Sequence, residues 1–168
     1  MRLLRIPEER ASLLLKNQER DLKTIENLLK IEISASKKGE IEISGPDPLE
    51  ELRAYEIVKA YGRGFALKNA LKLLEDNSTI QIIEIKDFAN TKNSSTRLKG
   101  RVIGKNGRIK SFLENELDLC ISIYGKTISL IGNCSNLTVG RQVIELLLNG
   151  GSYAAMRKLI KINSEKLR

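Results

Sequence analysis

Lys99-Gly100-Arg101-Val102-Ile103-Gly104-Lys105-Asn106-Gly107-Arg108-Ile109-Lys110 places a GxxG turn in the most basic stretch of a 168-residue chain. Between Asp87 and Glu114 there is no carboxylate, while Lys92, Arg97, Lys99, Arg101, Lys105, Arg108 and Lys110 supply seven positive charges. Two glycines three apart lack Cβ atoms and tolerate positive φ, so a polyanion backbone can approach them closely. The amides opening the next helix then face an anion with the macrodipole in its favour. A GxxG alone is a weak signal, and its surroundings decide the reading.

Downstream, Ile109, Phe112, Leu113 and Leu117 form the apolar stripe of a helix, and Ile121 and Ile123 pair with Ile128 and Leu130 as a hairpin around Gly125. Val139, Val143, Ile144 and Leu147 mark a further helix ended by Gly150 and Gly151, after which Ser152 caps a last helix holding Met156, Leu159 and Ile160. Upstream, Ile80, Ile82, Ile83 and Ile85 read as a strand, and Asn93 to Ser95 offer caps for a helix running toward Ile103.

The same order occurs earlier in the chain. Ile25-Glu26-Asn27-Leu28-Leu29 matches Leu113-Glu114-Asn115-Glu116-Leu117 at an offset of 88, and Ile43-Ser44-Gly45 matches Leu130-Ile131-Gly132 at an offset of 87. Leu3, Leu4 and Ile6 form a strand, Pro7 begins a helix over Glu8 to Leu15, and Leu22, Ile25, Leu28 and Leu29 line one face of the next. Ile31 and Ile33, then Ile41 and Ile43, alternate as strands around Ser34 to Gly39. Asp47, Pro48 and Glu50 have the form of an N-cap, first-turn proline and capping box for a helix to about Tyr61, and Phe65 to Leu74 reads as one more helix. The expected architecture is α+β, β-α-turn-α-β-β-α twice, divided as 1–76 and 77–168, each copy with an appended helix.

Charge distinguishes the copies. Residues 1–76 carry 14 Lys and Arg against 14 Asp and Glu, while 77–168 carry 15 against 7, so the whole net charge of +8 lies in the second copy. That asymmetry suggests a neutral half with a structural or docking role beside a basic half that meets a polyanion. Histidine is absent, removing the commonest general base and metal ligand, and there is no P-loop, GxGxxG or nucleophile elbow. Asp87, Glu114, Glu116 and Asp118 read as a solvated face, and Cys120 and Cys134 as small buried apolar side chains. The expectation is a non-enzyme without catalytic residues, metal or cofactor. No apolar stretch approaches a membrane span and no signal-peptide h-region opens the chain, so a cytoplasmic monomer is expected.

A GxxG between two helices, followed by an aliphatic hairpin and a long helix, resembles a type I KH domain. In type II a single strand closes the GxxG helix pair, whereas here two strands and a helix follow. With Ile6-Pro7-Glu8-Glu9-Arg10, the sequence is similar to the archaeal and eukaryotic ribosome-assembly proteins with paired KH domains, which work at the 3′ end of small-subunit rRNA. The resemblance places a second loop at Lys16-Asn17-Gln18-Glu19, where both glycines are missing and a carboxylate stands where a phosphate would approach. Glu19, if near a helix start as the resemblance implies, would stabilise that helix by about 0.3–1 kcal/mol. A degenerate first KH domain beside an intact second one is implied, with RNA as partner. The resemblance also implies two protein partners: the endonuclease that matures the rRNA end and the α subunit of the initiation factor that delivers initiator tRNA.

A KH domain clamps about four single-stranded nucleotides. The expected roles are Gly104 and Gly107 for close approach around Asn106, Lys105, Arg108 and Lys110 for phosphates, and Arg97, Lys99 and Arg101 for the continuing track. Val102, Ile103, Ile121 and Ile123 would floor the groove, whereas Ile109 fits the core better. Tyr124 reads as an ordinary hairpin tyrosine, with base stacking the alternative. Arg157, Lys158 and Lys161 of the last helix either extend the RNA surface or face water. Two other readings remain open: a protein-docking scaffold, and a general RNA-binding KH protein, such as an mRNA or RNA-decay adaptor, without rRNA specificity.

Overall fold

The structure is a computed structural model that describes residues 1–16 and 20–166. The chain divides into two compact units, Met1–Asp76 and Asn77–Arg168. Both are α+β, each with one three-stranded antiparallel sheet.

In the first unit, β1 (Arg2–Arg5) leads into α1 (Glu8–Lys16) and α2 (Arg20–Leu29), then β2 (Glu32–Ala35), β3 (Glu40–Ser44) and α3 (Pro48–Gly62). The sheet runs β1-β3-β2, with Leu3 opposite Glu42 and Ile33 opposite Ile43. Strict alternation explains why these are strands: Ile33, Ile41 and Ile43 point into the core while Glu32, Glu40 and Glu42 remain exposed. Ala11 and Leu14 from α1, Ile25 and Leu29 from α2, and Ala54, Ile57 and Val58 from α3 complete that core. The Arg10 guanidinium donates to the carbonyls of Tyr61 at 2.9 Å and Phe65 at 2.8 Å and stacks 4.3 Å from the Tyr61 ring centre, fastening α1 to the end of α3. Glu51, buried at the start of α3, accepts from the Met1 amine at 2.8 Å, which does most to hold its carboxyl below the usual range, and from the Gly45 amide at 2.9 Å, which lowers it further.

The second unit repeats the order: β4 (Ser78–Glu84), α5 (Lys92–Ile103), α6 (Arg108–Leu117), β5 (Cys120–Tyr124), β6 (Thr127–Asn133) and α7 (Cys134–Leu148), then α8 (Tyr153–Lys166). Its sheet runs β4-β6-β5, the same topology. Leu98, Val102, Leu113, Leu117, Ile121, Ile128, Leu130, Val143, Ile144 and Leu147 fill the core, which Met156 and Ile160 of α8 join. Each fully buried Leu or Ile contributes about 1.5–3 kcal/mol.

The repeat persists in the hydrogen bonds. Glu26 Oε1 accepts from the Ile33 amide at 2.8 Å, and Glu114 Oε1, 88 positions on, accepts from the Ile121 amide at 2.9 Å. Lys30 and Asp118, also 88 apart, both adopt positive φ where the second helix turns into the hairpin. In both units a helix-borne carboxylate holds the next strand in register.

Several expected details differ. Leu28 is exposed, because only Ile25 and Leu29 of its stripe face inward. Phe65–Leu74 is not one helix: Phe65 is a buried plug, and a short α4 (Leu67–Ala70) passes into a 3₁₀ turn at Leu71–Leu74. Asp47 caps α3 through the Leu49 amide, but Glu50 pairs with Arg53 instead of closing a capping box. The cap of α5 is Thr91, in a reciprocal box with Ser94. Ile85 leaves the strand for a 3₁₀ turn, Ile85–Asp87. Cys120 is buried, but Cys134 is exposed because it opens α7 on its solvent side, beside the capping Asn133. The loop read at Lys16-Asn17-Gln18-Glu19 falls, from Asn17 to Glu19, outside the described residues.

Candidate nucleic-acid interface

The GxxG segment joins α5 to α6 through three consecutive demands on the backbone. Gly104 sits at φ 73, ψ 175, a region essentially reserved for glycine, and its amide closes α5 by donating to the Gly100 carbonyl at 2.8 Å. Asn106 and Gly107 both lie in the left-handed region, at φ 55 and 73, and the Gly107 amide reaches back to the Gly104 carbonyl at 3.2 Å. Asparagine is among the few non-glycine residues that tolerate that region.

The two glycines serve different ends. A Cβ on Gly104 would meet the Ile109 side chain at 2.4 Å and the Ile109 amide nitrogen at 2.9 Å, so this glycine lets the turn fold onto its own helix. A Cβ on Gly107 would meet nothing within 4 Å. Gly107 therefore faces open space at the start of α6, where no side chain caps the helix. The Arg108 amide donates to the Lys105 carbonyl within the turn, no side chain caps the amides that follow it, and Lys105, Asn106 and Arg108 stand exposed around them.

The helical phase of α5 sorts the remaining candidates. Leu98 and Val102, four apart, face the core. Val102 is wholly buried, as is nearly all of Ile121, so neither can floor a groove; Ile121 is on the core face of β5 with Leu130 opposite it. Half-buried Ile103, one position past Val102 and so about 100° around the helix, fits that role, while half-buried Ile123 packs against the core from the same face of β5 as Ile121 and offers only its outer edge. Ile109 packs on the core rim beneath Gly104. Lys99 shares the Ile103 face, four residues before it.

Arg101 lies about 180° from the Lys92–Lys99–Ile103 stripe, with Arg97 a turn before it. Its guanidinium bonds the Gly151 carbonyl and lies 5.8 Å from the Tyr153 ring centre, while the Tyr153 hydroxyl donates to the Arg101 carbonyl at 3.0 Å. Arg101 is thus committed to fastening α5 to the start of α8 and is removed from the phosphate track. No local pattern marks this pairing, since its partners lie some fifty residues away. Exposed Arg97 keeps its charge toward water. Lys110 pairs with Glu114 at 3.4 Å, an i,i+4 contact that an anion must compete with. Arg157 of α8 lies 5.8 Å from the Phe112 ring centre, beside α6, and Lys158 and Lys161 are exposed. Tyr124 is half-buried at the hairpin turn.

Among the described residues no group of three or more His, Cys, Asp or Glu side chains could hold a metal ion. No described helix is long and apolar enough to cross a membrane. The arrangement suits binding, through a turn that admits a phosphodiester, cations around it and a narrow aliphatic floor.

Known proteins share this fold. Residues 79–165 match the second KH domain of PNO1, described as a eukaryotic-type KH domain of type I. A KH domain-containing protein of Methanocaldococcus jannaschii is 35% identical over 99% of this chain and 75% of its own length. The RNA-binding protein pno-1 of Caenorhabditis elegans is 27% identical over 78% of this chain, which spans about half of that relative (51%). Among solved structures, Dim2p of Pyrococcus horikoshii has a TM-score of 0.86 at 30% identity, covering 95% of this chain and 97% of that one. The complex of a/eIF2alpha, aDim2p and rRNA from the same organism gives 0.88 at 31% identity, with 98% and 94% covered.

Proposed function

The chain belongs to the PNO1 family of type I KH-domain proteins, and from that premise we propose that it binds single-stranded RNA at the 3′ end of small-subunit rRNA during ribosome assembly. One observation carries the reading: Gly107 faces open space at an uncapped helix start, within a segment that has seven cations and no carboxylate. The strand's backbone passes over Gly104–Gly107, with Lys105, Asn106 and Arg108 on its phosphates and Lys110 joining as it exchanges Glu114 for the strand. Bases lie toward Ile103 and Ile123, with Lys99 alongside. Selectivity then comes from base edges at the groove, while the turn supplies register.

The first unit, with the same element order, is in this reading a KH domain that has lost its clamp, and its electroneutral surface serves protein contacts. The Pyrococcus complex, in which a Dim2p is assembled with a/eIF2alpha and rRNA, supports an initiation-factor α subunit as partner. The endonuclease that matures the rRNA end is the second partner proposed. The protein itself performs no chemistry in this scheme.

The test is binding of the wild type and Gly107→Asp to an RNA bearing the small-subunit rRNA 3′ end, against a scrambled RNA of equal length, near physiological salt. A preference for the rRNA end that the substitution abolishes is expected. Equal, weak binding to both RNAs, unchanged by the substitution, would refute the clamp and leave the scaffold reading.

A further inference from the structure

A cleft of about 620 Å³ opens at the opposite end of α5 from the GxxG turn. Lys86 from the β4–α5 connection, Lys92, Thr96 and Lys99 from α5, and Lys126 from the β5–β6 turn line it, together with Asn90, and no carboxylate does. Among the described residues none of the four lysines is ion-paired. Three separate elements thus place four lysines around one concavity with no carboxylate among its lining residues, a local field that favours an anion.

The fold holds this cleft in shape. The Ile85 amide donates to the Lys126 carbonyl at 2.9 Å, pinning the hairpin turn beside the residue that precedes Lys86. The Thr91–Ser94 box occupies the α5 cap, so an anion here would be held by lysine side chains and hydroxyls rather than by helix amides. Lys92, Thr96, Lys99 and Ile103 recur at helical spacing and form one stripe that runs from the cleft to Gly104. The 12 residues of α5 span about 18 Å.

On the reading that the GxxG turn clamps RNA, we infer that this cleft is a second phosphate site, holding the RNA backbone just outside the roughly four nucleotides a KH domain grips. The stripe along α5 is the path between the two sites. The footprint is therefore longer than the clamp alone provides, and affinity rises with strand length until the cleft is filled.

The experiment measures binding of the full chain to a four-nucleotide RNA and to a ten-nucleotide RNA carrying the same four at one end or the other, for wild type, Lys86→Gln/Lys126→Gln and Gly107→Asp. Both glutamine substitutions fall on exposed side chains, so folding is preserved. The double variant is expected to lose roughly tenfold on the ten-nucleotide RNA, with the salt slope flatter by about 1.4, and to bind the four-nucleotide RNA as wild type does. Gly107→Asp is expected to weaken both RNAs. If it does and the double variant matches wild type at every length, the cleft inference fails while the clamp stands; if Gly107→Asp changes nothing, the clamp itself fails. Inorganic phosphate that displaces the length-dependent part better than chloride of equal ionic strength would reassign the cleft to a free anion. Poly-aspartate held as tightly through these lysines would reassign it to an acidic polypeptide.

Discussion

The two units share a topology, a left-handed residue before the hairpin and a carboxylate that accepts from the following strand, yet their charges are unlike: 14 against 14 in the first, 15 against 7 in the second. What they have in common is what the fold requires, and what differs is what a polyanion requires. Ile25 and Leu113 are both completely buried, and so are Ile41 and Ile128, so the cores kept their positions while the surfaces separated. A loop can lose its ligand without the unit losing its structure because these demands fall on different atoms.

The largest expected effects come from the two glycines of the turn. Gly107→Asp is expected to lower RNA affinity roughly tenfold or more, equivalent to at least about 1.4 kcal/mol. It should cost the fold only about 1 kcal/mol, since the position is open and Asp tolerates positive φ. Gly104→Ala is the converse. Its methyl strikes Ile109, side chain and amide nitrogen, at a φ of 73, so the expected loss is about 2–4 kcal/mol of stability. Paired thermal melts and RNA titrations check both, and a Gly104→Ala melt equal to wild type would show that the two glycines are interchangeable.

The arginine latches give the next contrast. Arg10→Gln removes two carbonyl contacts and a stacked ring and is expected to destabilise the first unit by about 2–3 kcal/mol. Arg101→Gln should cost about 1–2 kcal/mol and leave the salt dependence of RNA binding unchanged, because its guanidinium faces Gly151 and Tyr153. A slope flatter by a full unit in Arg101→Gln would return this residue to the phosphate track.

Glu114→Gln separates folding from binding within one side chain. The amide oxygen of glutamine can still accept from Ile121, so the strand keeps its register, while Lys110 loses its ion partner. RNA binding should strengthen about two- to threefold with little change in the melt. The matching Glu26→Gln change should leave RNA binding untouched. Equal effects from both would mean that the carboxylates act through overall charge and not through Lys110.

The reach of the sequence follows the same division. Alternating isoleucines and the 88-residue offset gave both sheets and the helix order, because a buried strand face and a buried helix stripe repeat at fixed periods. The spacing of Leu98 to Val102 already contained the phase that buries Val102 and turns Ile103 outward. The α5 cap lies at Thr91, two to four residues before the Asn93 to Ser95 stretch, because Thr91, Asn93, Ser94 and Ser95 are all competent caps and only the geometry of the reciprocal bonds chooses. Nothing near Arg101 announces Gly151, and nothing near Lys126 announces Lys86, since both pairings depend on where distant elements meet. The residue type of Cys134 favours burial, whereas its place at the first turn of α7 puts it in water.

The smallest effect is expected from a substitution that tests the proposal that the first unit is a KH domain without its clamp. Lys16→Gly with Glu19→Gly places a GxxG 88 positions before that of the second unit and removes one charge of each sign, so the first unit stays electroneutral. A clamp needs more than permissive backbone: the second unit surrounds its turn with Lys105, Arg108 and Lys110, whereas the first unit has Asn17, Arg20 and Leu22 at the same offset of 88, one cation in place of three. With that weaker cationic field to offset desolvation of a phosphodiester, two glycines add conformational freedom and little attraction. The double substitution, made in a Gly107→Asp background, should therefore raise RNA affinity by no more than about twofold, within the change that one phosphate contact can produce. A tenfold recovery would show that the groove of the first unit had remained competent and that its turn alone had been lost, which would make charge a consequence of the divergence between the units rather than its cause.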